Sequence, residues 1–384
     1  METERARRMR ILMVLKNTNM MDGVNRHVLA IAPALNQMAG NEIAVSIEWP
    51  RGELNDALEN AGVRTYSLNV PNGHSVRAFT RFVRILREFR PDVVHLHEGG
   101  FFVSLALKVC PGKRRIVSTC HAISDPVEKV TMRMRIEHFL SRFTRLPVSA
   151  VCCISEGVKA SMGPVSVPQP VIYNPIDFEA VPSGADLRQL LNLPHDTKMV
   201  GTACRIALVK NPAAFTRVMC QVLHELPEAH AVVIGSGVPE LEAEAKRIVE
   251  ECGMISRFHW LGSRNDARKL IADLDCFVMT SHREGLPTAV LEAFAGRTPV
   301  ALFDGEGGLH DIAEMNRKEG PFAAVIPQGD ESELSRQIVE LLEDPIRARA
   351  FAERAWSVGR VHFDLRSITA SLDRVYLNAL EKSK

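Results

Sequence analysis

The segment REGLPTAVLEAFAG, residues 283–296, contains two glutamates, Glu284 and Glu292. Glutamate is rarely buried without a partner, yet Glu292 sits among alanine, leucine and phenylalanine. Ionised carboxylates accept hydrogen bonds, so both side chains are candidates for holding the hydroxyl groups of a ligand. Proline suits a first helical turn and Gly296 suits the position after a last one, which predicts a helix over 287–295.

The start of that helix is a candidate anion site, because its first backbone amides and its dipole both favour negative charge. Glu284 stands in front of the site. Glu292 lies about 12 Å further along if every step is helical. An elongated ligand with an anionic centre and hydroxyl groups at each end fits this spacing, and a sugar nucleotide has that shape. The spacing alone is also compatible with a capped helix that carries one solvated glutamate.

The elements that must position these residues alternate between strand and helix, which is typical of parallel sheets covered on both faces. Apolar runs of strand length occur at 10–17, 42–49, 64–70, 92–98, 115–122, 150–156 and 170–177, and again at 198–206, 230–237, 257–263, 275–281, 298–304 and 322–327. The stretch 177–197 has no strand pattern and several helix breakers, so it is the best boundary.

We therefore predict an α/β protein with two Rossmann-like, doubly wound domains that face a central cleft. The first spans 1–177 and the second 178–362, with a final helix over 363–384 that packs back on the first domain. Ligands of such sheets bind beyond the carboxyl ends of the strands. Residues that could do chemistry follow the apolar runs at these ends: Gly23, His95, His97, His121, Arg205, Gly235 and Glu284.

The segment REGLPTAVLEAFAGRTPVALFDGEGGLHDI resembles the signature of the family 4 glycosyltransferases, which have the GT-B fold. Further similar motifs come in the expected order: DGVNRHV, PDVVHLH, STCHA, ISEGVK, VIYNPID, RIALVKN, VVIGSGVPE and HWLGSRND. The resemblance covers residues 10–312, and FDLRSITASLDRVYLNAL is similar to the family's returning helix. This sequence departs from the pattern at Asp22, at Leu286-Pro287 and at Asp311, where the family usually has glycine, a second turn glycine and glutamate.

The resemblance implies roles for particular residues, of which Glu284 would contact donor-sugar hydroxyls and Glu292 the ribose hydroxyls. Arg205 and Lys210 match the cations that neutralise the diphosphate leaving group, and His121 matches a histidine near the donor sugar and the acceptor. The implied set is Arg205, Lys210, Glu284 and His121 for catalysis, and Gly23, Gly235, Gly285, Leu286, Pro287, Thr288 and Glu292 for donor binding.

Glycosyl transfer needs these residue types for a physical reason. Negative charge grows on the diphosphate as the bond to the anomeric carbon breaks, and fixed cations and amides aimed at that charge accelerate the step. Arginine binds phosphate as a planar fork of donors and lysine as a point charge. We expect no metal or other cofactor besides the nucleotide sugar. His95 and His97 share a strand face without an evident third ligand, and the D-x-D segment Asp273–Asp275 precedes its strand as a solvated helix end.

The predicted function is retaining transfer of a hexose-type sugar from a nucleotide sugar, with a UDP-sugar favoured. The acceptor would be a glycan, a lipid-linked or another hydroxyl compound of bacterial cell-surface polysaccharide or lipopolysaccharide synthesis. Two alternatives remain: a GT-B nucleotide-sugar epimerase and a non-catalytic GT-B scaffold. A dinucleotide dehydrogenase is disfavoured, since no G-x-G-x-x-G follows the first strand. No nucleic-acid partner is expected.

Charge and cysteine content bear on location. Residues 1–180 carry 23 Lys+Arg against 17 Asp+Glu (+6), and the remainder carries 24 against 29 (−5). The helical pattern 76–89 puts Arg77, Arg81, Arg84 and Arg87 on one face, and 112–115 and 129–146 add further cations. We expect a cytoplasmic protein that associates peripherally with anionic membranes through its first domain; ordinary solvated faces are the alternative. The eight cysteines form no C-x-x-C pair, which indicates reduced thiols.

Overall fold

The structure is a computed structural model that describes residues 8–20, 22–38, 40–70, 75–123, 146–180 and 186–381. Contacts divide the chain into two compact units. The first comprises Met1–Ile154, Val158–Pro175 and Leu365–Lys384, and the second comprises Ser155–Gly157 and Ile176–Asp364. The final helix therefore belongs to the first unit, although it follows the second along the chain.

The first unit is built on a six-stranded parallel sheet in the order β3-β2-β1-β4-β5-β6. Its strands are β1 (Met9–Leu15), β2 (Asn41–Ile47), β3 (Arg64–Ser67), β4 (Val93–Leu96), β5 (Arg115–Cys120) and β6 (Val148–Cys153). Its described helices, in chain order, are α1 (Gly23–Gln37), α2 (Glu53–Asn60), α3 (Val76–Phe89), α4 (Phe101–Val109), α5 (Glu156–Met162) and α14 (Leu365–Glu381). The first two residues of α5 belong to the second unit.

The second unit repeats this plan with a parallel sheet in the order β14-β12-β10-β7-β8-β9. Its strands are β7 (Lys198–Ala203), β8 (Ala229–Ile234), β9 (Phe258–Gly262), β10 (Cys276–Met279), β12 (Val300–Asp304) and β14 (Ala324–Pro327), with a separate pair of β11 (Arg283–Glu284) and β13 (Glu306–Gly307). Its helices are α6 (Leu187–Leu190), α7 (Pro212–Glu225), α8 (Pro239–Glu251), α9 (Ala267–Ala272), α10 (Thr288–Ala295), α11 (Gly308–Glu319), α12 (Glu331–Glu343) and α13 (Pro345–Phe363).

Both sheets have the doubly wound strand order, and the chain changes direction across the sheet at one point in each. That point lies between β1 and β4 in the first unit and between β7 and β10 in the second. Ligands of such sheets bind in the crevice at this switch, beyond the carboxyl ends of the two strands. The fold therefore gives each unit one preferred place for a site.

The predicted fold class is confirmed, and each unit buries apolar residues on both faces of its sheet. In the first unit, one face carries a cluster around Ile11, Val45 and Tyr376, and the other a cluster around Phe82 and Phe89. Tyr376 lies on α14, so the last helix of the chain completes this core. The apolar runs that predicted the strands thus supply the residues that pack against the helices on both faces of the sheet.

The structure differs from the prediction at 170–177, which forms no strand. Only two isolated bridges occur there, one from Val171 to Cys153 and one from Ile176 to Asp364. Pro170 and Pro175 cannot donate to a strand ladder, which explains why an apolar, β-branched run does not become a strand.

The expectation that all eight cysteines are reduced is wrong at one pair. Cys220 on α7 and Cys252, which follows α8, form a disulfide with their Cα atoms 6.3 Å apart. The two helices pack side by side and bring the residues together across 32 positions of sequence, so no short spacing motif marks the pair. Six further cysteines in the described chain are free thiols: Cys110, Cys120, Cys152, Cys153, Cys204 and Cys276.

Candidate active site

The segment after β7 carries the two predicted diphosphate cations to the switch point of the second unit. Arg205 is exposed just beyond the strand, and Lys210 ends a single 3-10 turn, Leu208–Lys210. Asn211 follows with φ 51° and caps α7, since its side chain accepts a hydrogen bond from the Ala214 amide. The left-handed turn at Asn211 ends the segment and fixes where the lysine leaves the backbone.

Lys210 and Glu284 form an ion pair at this point. The lysine Nζ lies 2.5 Å from both Oε atoms of the glutamate, and the two side chains are 20% and 9% exposed. Ser281 donates a second hydrogen bond to Glu284 Oε1 at 2.7 Å. Because β10 pairs with β7, residues 74 positions apart in sequence meet at one sheet edge. A cation and a carboxylate are thus held in fixed positions just beyond neighbouring strands.

Gly235 lies in the backbone that supports this segment. Its amide donates to Gly262 O at 2.8 Å, and its φ of 140° is one that other residues rarely adopt. A Cβ on Gly235 would lie 1.9 Å from the carbonyl oxygen of Cys204, next to Arg205. The structure therefore places Gly235 as the residue that lets the chain after β8 approach the chain after β7.

The helix predicted over 287–295 exists as α10, Thr288–Ala295. Its N-cap residue is Pro287, which has no side-chain acceptor, so no side chain caps the amides of Thr288 and Ala289, while the Val290 amide donates to Pro287 O at 2.9 Å. Gly285 and Leu286 connect this helix to Glu284, and Leu286 is buried. Because Glu284 belongs to β11 and helical geometry begins only at Thr288, the 12 Å estimated from continuous helix does not apply.

Glu292 lies on α10 and is only 3% exposed, while Glu284 is 8% exposed. A capped helix with one solvated glutamate is therefore the wrong description of this segment. Both carboxylates are buried at the same strand-to-helix connection.

A second helix begins beside the same connection. The strand pair β11 and β13 brings Gly307 opposite Glu284, and α11 starts at the next residue with a glycine at its N-cap. A Cβ on Gly308 would lie 2.6 Å from the carbonyl oxygen of Gly285, so this close approach requires glycine. Asp311, on the first turn of α11, accepts hydrogen bonds from the amides of Glu156 (2.7 Å) and Gly157 (3.1 Å).

Gly23, on the other unit, is the first residue of α1 after β1. The preceding residue, Asp22, caps the helix by accepting from the Val24 amide at 2.9 Å. No atom of the described residues lies within 4 Å of the position that a Cβ at residue 23 would take. Packing within the unit does not explain the glycine, and this leaves room for a ligand to approach the backbone.

His121 follows β5 and is partly exposed, and it belongs to a cluster of four histidines in the first unit whose other three members are buried. Its Nε2 is 3.0 Å from His97 Nδ1, and His27 packs against both rings with centroids 5.1 and 5.4 Å away. His95 makes hydrogen bonds with both ring nitrogens, to Tyr376 (2.6 Å) and to Thr119 (2.7 Å). The cluster joins elements that follow β1, β4 and β5, which are neighbours in the sheet.

Burial keeps these imidazoles neutral. It lowers the pKa of His121 to about 3, with the neighbouring His95 acting in the same direction, and it lowers the pKa of His95 to about 3. Burial also holds the pKa of His27 and of His97 well below the usual value. His121 therefore acts at neutral pH as an uncharged hydrogen-bonding group.

The two aspartates of the D-x-D segment are half-exposed, and both carboxylates have structural partners. Asp275 accepts from Arg188 Nη2 at 2.5 Å and from the Met199 amide at 2.7 Å. Asp273 accepts from the Leu187 amide at 3.1 Å. Both carboxylates fasten α6 to the sheet at the amino ends of its strands, opposite the edge that carries Lys210 and Glu284.

Comparison with known proteins shows the family to which the two units belong. The family model described as Glycosyltransferase Family 4 matches residues 21–180, and the model described as Glycosyl transferases group 1 matches residues 185–357. The chain belongs to the family 4 glycosyltransferases. The two matches follow each other along the chain, one over most of each predicted domain.

Two curated relatives show the range of this family. The chain is 22% identical over 258 residues to the Escherichia coli UDP-Gal:alpha-D-GlcNAc-diphosphoundecaprenol alpha-1,3-galactosyltransferase, covering 62% of this chain and 65% of that protein. It is 25% identical over 209 residues to a Corynebacterium glutamicum GDP-mannose-dependent monoacylated alpha-(1-6)-phosphatidylinositol monomannoside mannosyltransferase, covering 49% and 51%. The chain thus spans about half to two thirds of the length of these relatives.

Solved structures share the fold over nearly the whole chain. The Anabaena protein HepE in complex with UDP and glucose superposes with a TM-score of 0.79 at 19% identity, covering 95% of this chain and 98% of that one. A Thermosynechococcus elongatus sucrose-phosphate synthase gives a TM-score of 0.75 at 17% identity, covering 98% and 99%. The two parallel-sheet units therefore match the GT-B glycosyltransferase fold.

The sequence analysis missed two residues of these sites and the partner of a third. Ser281 fixes Glu284, and its place directly after β10 was a usable signal. His27 lies four positions after Gly23 and therefore on the same face of α1, which the pattern DGVNRHV already contains. His97 was noticed only as a partner of His95, although His121 is the residue whose ring nitrogen it contacts.

Proposed function

We propose that this family 4 protein is a retaining glycosyltransferase that moves a hexose-type sugar from a nucleotide-sugar donor, with a UDP-sugar favoured, to a hydroxyl acceptor. The observation that carries the proposal is the Lys210–Glu284 pair at the switch point, 2.5 Å between Nζ and carboxylate, beside a helix whose N-terminus has no side-chain cap. One cation, one carboxylate and a set of amides suit a diphosphate joined to a polyhydroxylated sugar.

In the proposed reaction the bond between the anomeric carbon and the diphosphate oxygen breaks, and the acceptor hydroxyl oxygen bonds to the same face of that carbon. The hydroxyl proton leaves with the departing diphosphate oxygen. Lys210 and Arg205 supply positive charge where the diphosphate gains negative charge, and the amides at the start of α10 add fixed dipoles. Glu284 accepts hydrogen bonds from donor-sugar hydroxyls, and Glu292 accepts them from the ribose.

For His121 and Gly23 the proposal keeps the roles that the family resemblance implies, near the donor sugar and near the phosphates. Because burial holds the pKa of His121 far below neutrality, the imidazole approaches sugar hydroxyls without adding charge. The acceptor is a glycan or a lipid-linked hydroxyl compound of bacterial surface polysaccharide synthesis. The names of relatives support this class, since one acts on a diphosphoundecaprenol-linked sugar and another is a lipopolysaccharide core glycosyltransferase of Rhizobium meliloti.

A donor panel tests the proposal. The purified chain is incubated with UDP-, GDP- and ADP-sugars, with and without a panel of polyprenyl-diphosphate sugars, and release of nucleotide and glycosylated product is measured. We expect one donor class to give acceptor-dependent release with the anomeric configuration retained. Interconversion of free nucleotide sugars would instead identify an epimerase, and binding without turnover would identify a scaffold.

Transfer should not depend on a divalent metal, because in the proposed site Arg205, Lys210 and the α10 amides supply the positive charge that the diphosphate needs. We expect excess EDTA to leave the initial rate within about twofold of the untreated enzyme. Rates with added Mg²⁺ or Mn²⁺ provide the comparison. Activity abolished by EDTA and restored by either ion would contradict this prediction.

Replacing Glu292 by glutamine should weaken nucleotide binding rather than turnover, since ribose hydroxyls are held alike before and during the reaction. Hydrogen bonds to a charged group contribute about 1.5–3 kcal/mol, which predicts a loss of about 10- to 100-fold in affinity. Calorimetry with the nucleoside diphosphate measures it. Glu319→Gln, at the far end of α11, is the control. Unchanged affinity in the Glu292 variant would remove this residue from the site.

We also propose that the first unit associates peripherally with anionic membranes. Arg77, Arg81, Arg84 and Arg87 are all exposed on α3, while Phe82 and Phe89 of the same helix are buried in the core. The last turn of α3 borders a cavity of about 640 Å³ whose other walls include Arg90, Lys113 and Arg114. The predicted basic segment at 129–146 falls almost entirely in 124–145, outside the described residues. Among the described helices, none has the length and apolar composition needed to cross a bilayer.

Each basic residue near an anionic surface is worth about 1 kcal/mol, so removing two should weaken binding by about 30-fold. We expect Arg84→Ala/Arg87→Ala to reduce co-sedimentation with vesicles containing phosphatidylglycerol at low salt. The charge-matched control Arg247→Ala/Arg336→Ala, on exposed helices of the second unit, should sediment like the unaltered chain. Equal pelleting with neutral and anionic vesicles would leave the α3 arginines as ordinary solvated side chains.

A further inference from the structure

Three histidines of the first unit are arranged so that their ring nitrogens converge. His27 lies on α1, which follows β1, while His97 and His121 directly follow β4 and β5. These three strands are adjacent in the sheet, so the side chains meet at one edge. Ligand-capable nitrogens of the three rings lie within 4.8 Å of one another.

Two ring nitrogens of these histidines lack a hydrogen bond among the described residues. His27 Nδ1 and His97 Nε2 are buried without a well-formed hydrogen bond, although the side chain of Asn174 lies against His27, and the two histidines are only 4% and 6% exposed. A buried polar atom without a partner carries a desolvation cost that native proteins usually avoid. The cluster is therefore incomplete as a purely structural network. His121 is less buried than the other two, so an ion can reach the cluster from the side of His121.

We propose that His27, His97 and His121 form a site for a transition-metal ion of the Zn²⁺ class. Imidazole is a preferred ligand of zinc, copper and nickel, whereas Mg²⁺ prefers oxygen. Zinc binds histidine nitrogen at about 2.0–2.1 Å, so three tetrahedral ligands stand about 3.4 Å apart, compared with separations of at most 4.8 Å between the ring nitrogens here. Three protein ligands leave a fourth position for water or a substrate hydroxyl. This inference replaces the expectation that His95 and His97 have no third ligand.

His95 is not a ligand but orients one. Both of its nitrogens are engaged, with Tyr376 and with Thr119, and its ring lies 4.0 Å from that of His97. A ring held at both nitrogens and packed against His97 restricts the rotation of the His97 ring. His97 is therefore held in place before any ion arrives.

Metal binding at this site should inhibit sugar transfer, an expectation that rests on the proposed function. An ion bound to His121 withdraws that imidazole from the sugar, so Zn²⁺ inhibits transfer while Mg²⁺ does not. If zinc binds the cluster and transfer continues, His121 is excluded from the transfer site and the metal site stands. If no transfer activity exists at all, metal binding is still measured directly.

The test uses the full-length chain freed of metal by dialysis and titrated with CoCl₂, then with ZnCl₂. We expect one Co²⁺ per chain, with the visible absorption of a low-coordinate nitrogen site, displaced by an equivalent of Zn²⁺. His97→Gln should lower the affinity by more than the about 10- to 100-fold that loss of an outer-shell partner costs. His259→Gln is the matched control, because His259 also contacts another histidine, with His230 Nδ1 2.8 Å from its Nε2.

If His97→Gln prevents folding, a measurement on the unaltered chain still tests the proposal. Pulsed EPR of the Cu²⁺-loaded chain should show couplings to imidazole nitrogens from a single site. Thiolate-to-cobalt charge-transfer absorption would place the ion on cysteines and overturn the proposal. The proposal also fails if no saturable binding occurs, or if the folded His97 variant binds cobalt like the unaltered chain.

Discussion

Replacing Lys210 by alanine should lower the turnover number about 10²- to 10³-fold, the loss typical of removing one preorganised donor from a developing negative charge. The ammonium group lies 2.5 Å from Glu284 and is fixed by the turn that ends at Asn211, so it is in place before charge develops. The diphosphate carries more negative charge in the transition state than in the bound donor, and an interaction that strengthens between these two states affects turnover more than the Michaelis constant.

The measurement is steady-state nucleotide release with the donor identified by the panel. Arg217→Ala is the control, since that arginine forms an exposed ion pair with Glu331 on the same unit. Lys210→Ala removes the cation and also breaks its ion pair with Glu284. Glu284→Gln measures the effect of breaking the ion pair alone, because it keeps the lysine and removes the carboxylate charge. We expect this variant to lose less turnover than Lys210→Ala. A rise in the Michaelis constant alone, at unchanged turnover, would remove Lys210 from the leaving-group side.

The fold could be predicted because both units follow one rule: an apolar run becomes a strand, and residues after it reach the carboxyl edge. That rule placed Arg205, Glu284 and His121 beyond strand ends, where the structure has them. It failed at 170–177, where prolines prevent pairing although the side chains suit a strand. Local composition predicts apolar burial better than it predicts which amides are able to pair.

The contacts of the candidate site depend on strand order, which a sequence pattern does not contain. Lys210 meets Glu284 because β10 lies beside β7, although β8 and β9 intervene along the chain. The same is true of His27, whose helix follows β1 and meets residues that follow β4 and β5. The burial of Glu292 has a similar origin, since α10 packs against α13 as well as its own sheet. Residue types indicated the chemistry, and the sheet order determined the partners.

The Lys210–Glu284 pair should also matter for stability, and a double-mutant cycle separates this from catalysis. Lys210→Ala leaves a carboxylate that is 9% exposed without its cation, and breaking a buried pair in this way costs about 3–5 kcal/mol in the free energy of unfolding. Glu284→Ala should cost less, because the lysine is 20% exposed and its flexible chain reaches water. The double variant should be more stable than Lys210→Ala alone, since no unpaired charge remains buried.

The cycle is measured by chemical denaturation, using the transition of the second unit, because a chain with two units need not unfold in one step. The matched cycle is Arg217→Ala with Glu331→Ala, a pair at the same 2.5 Å separation whose side chains are 47% and 22% exposed. Solvent screens that pair, so its coupling energy should stay below about 1 kcal/mol. For Lys210 and Glu284 we expect a coupling energy of about 2–3 kcal/mol. Equal coupling in the two cycles would mean that water reaches Glu284 freely, and the carboxylate would then be no more fixed than a surface side chain.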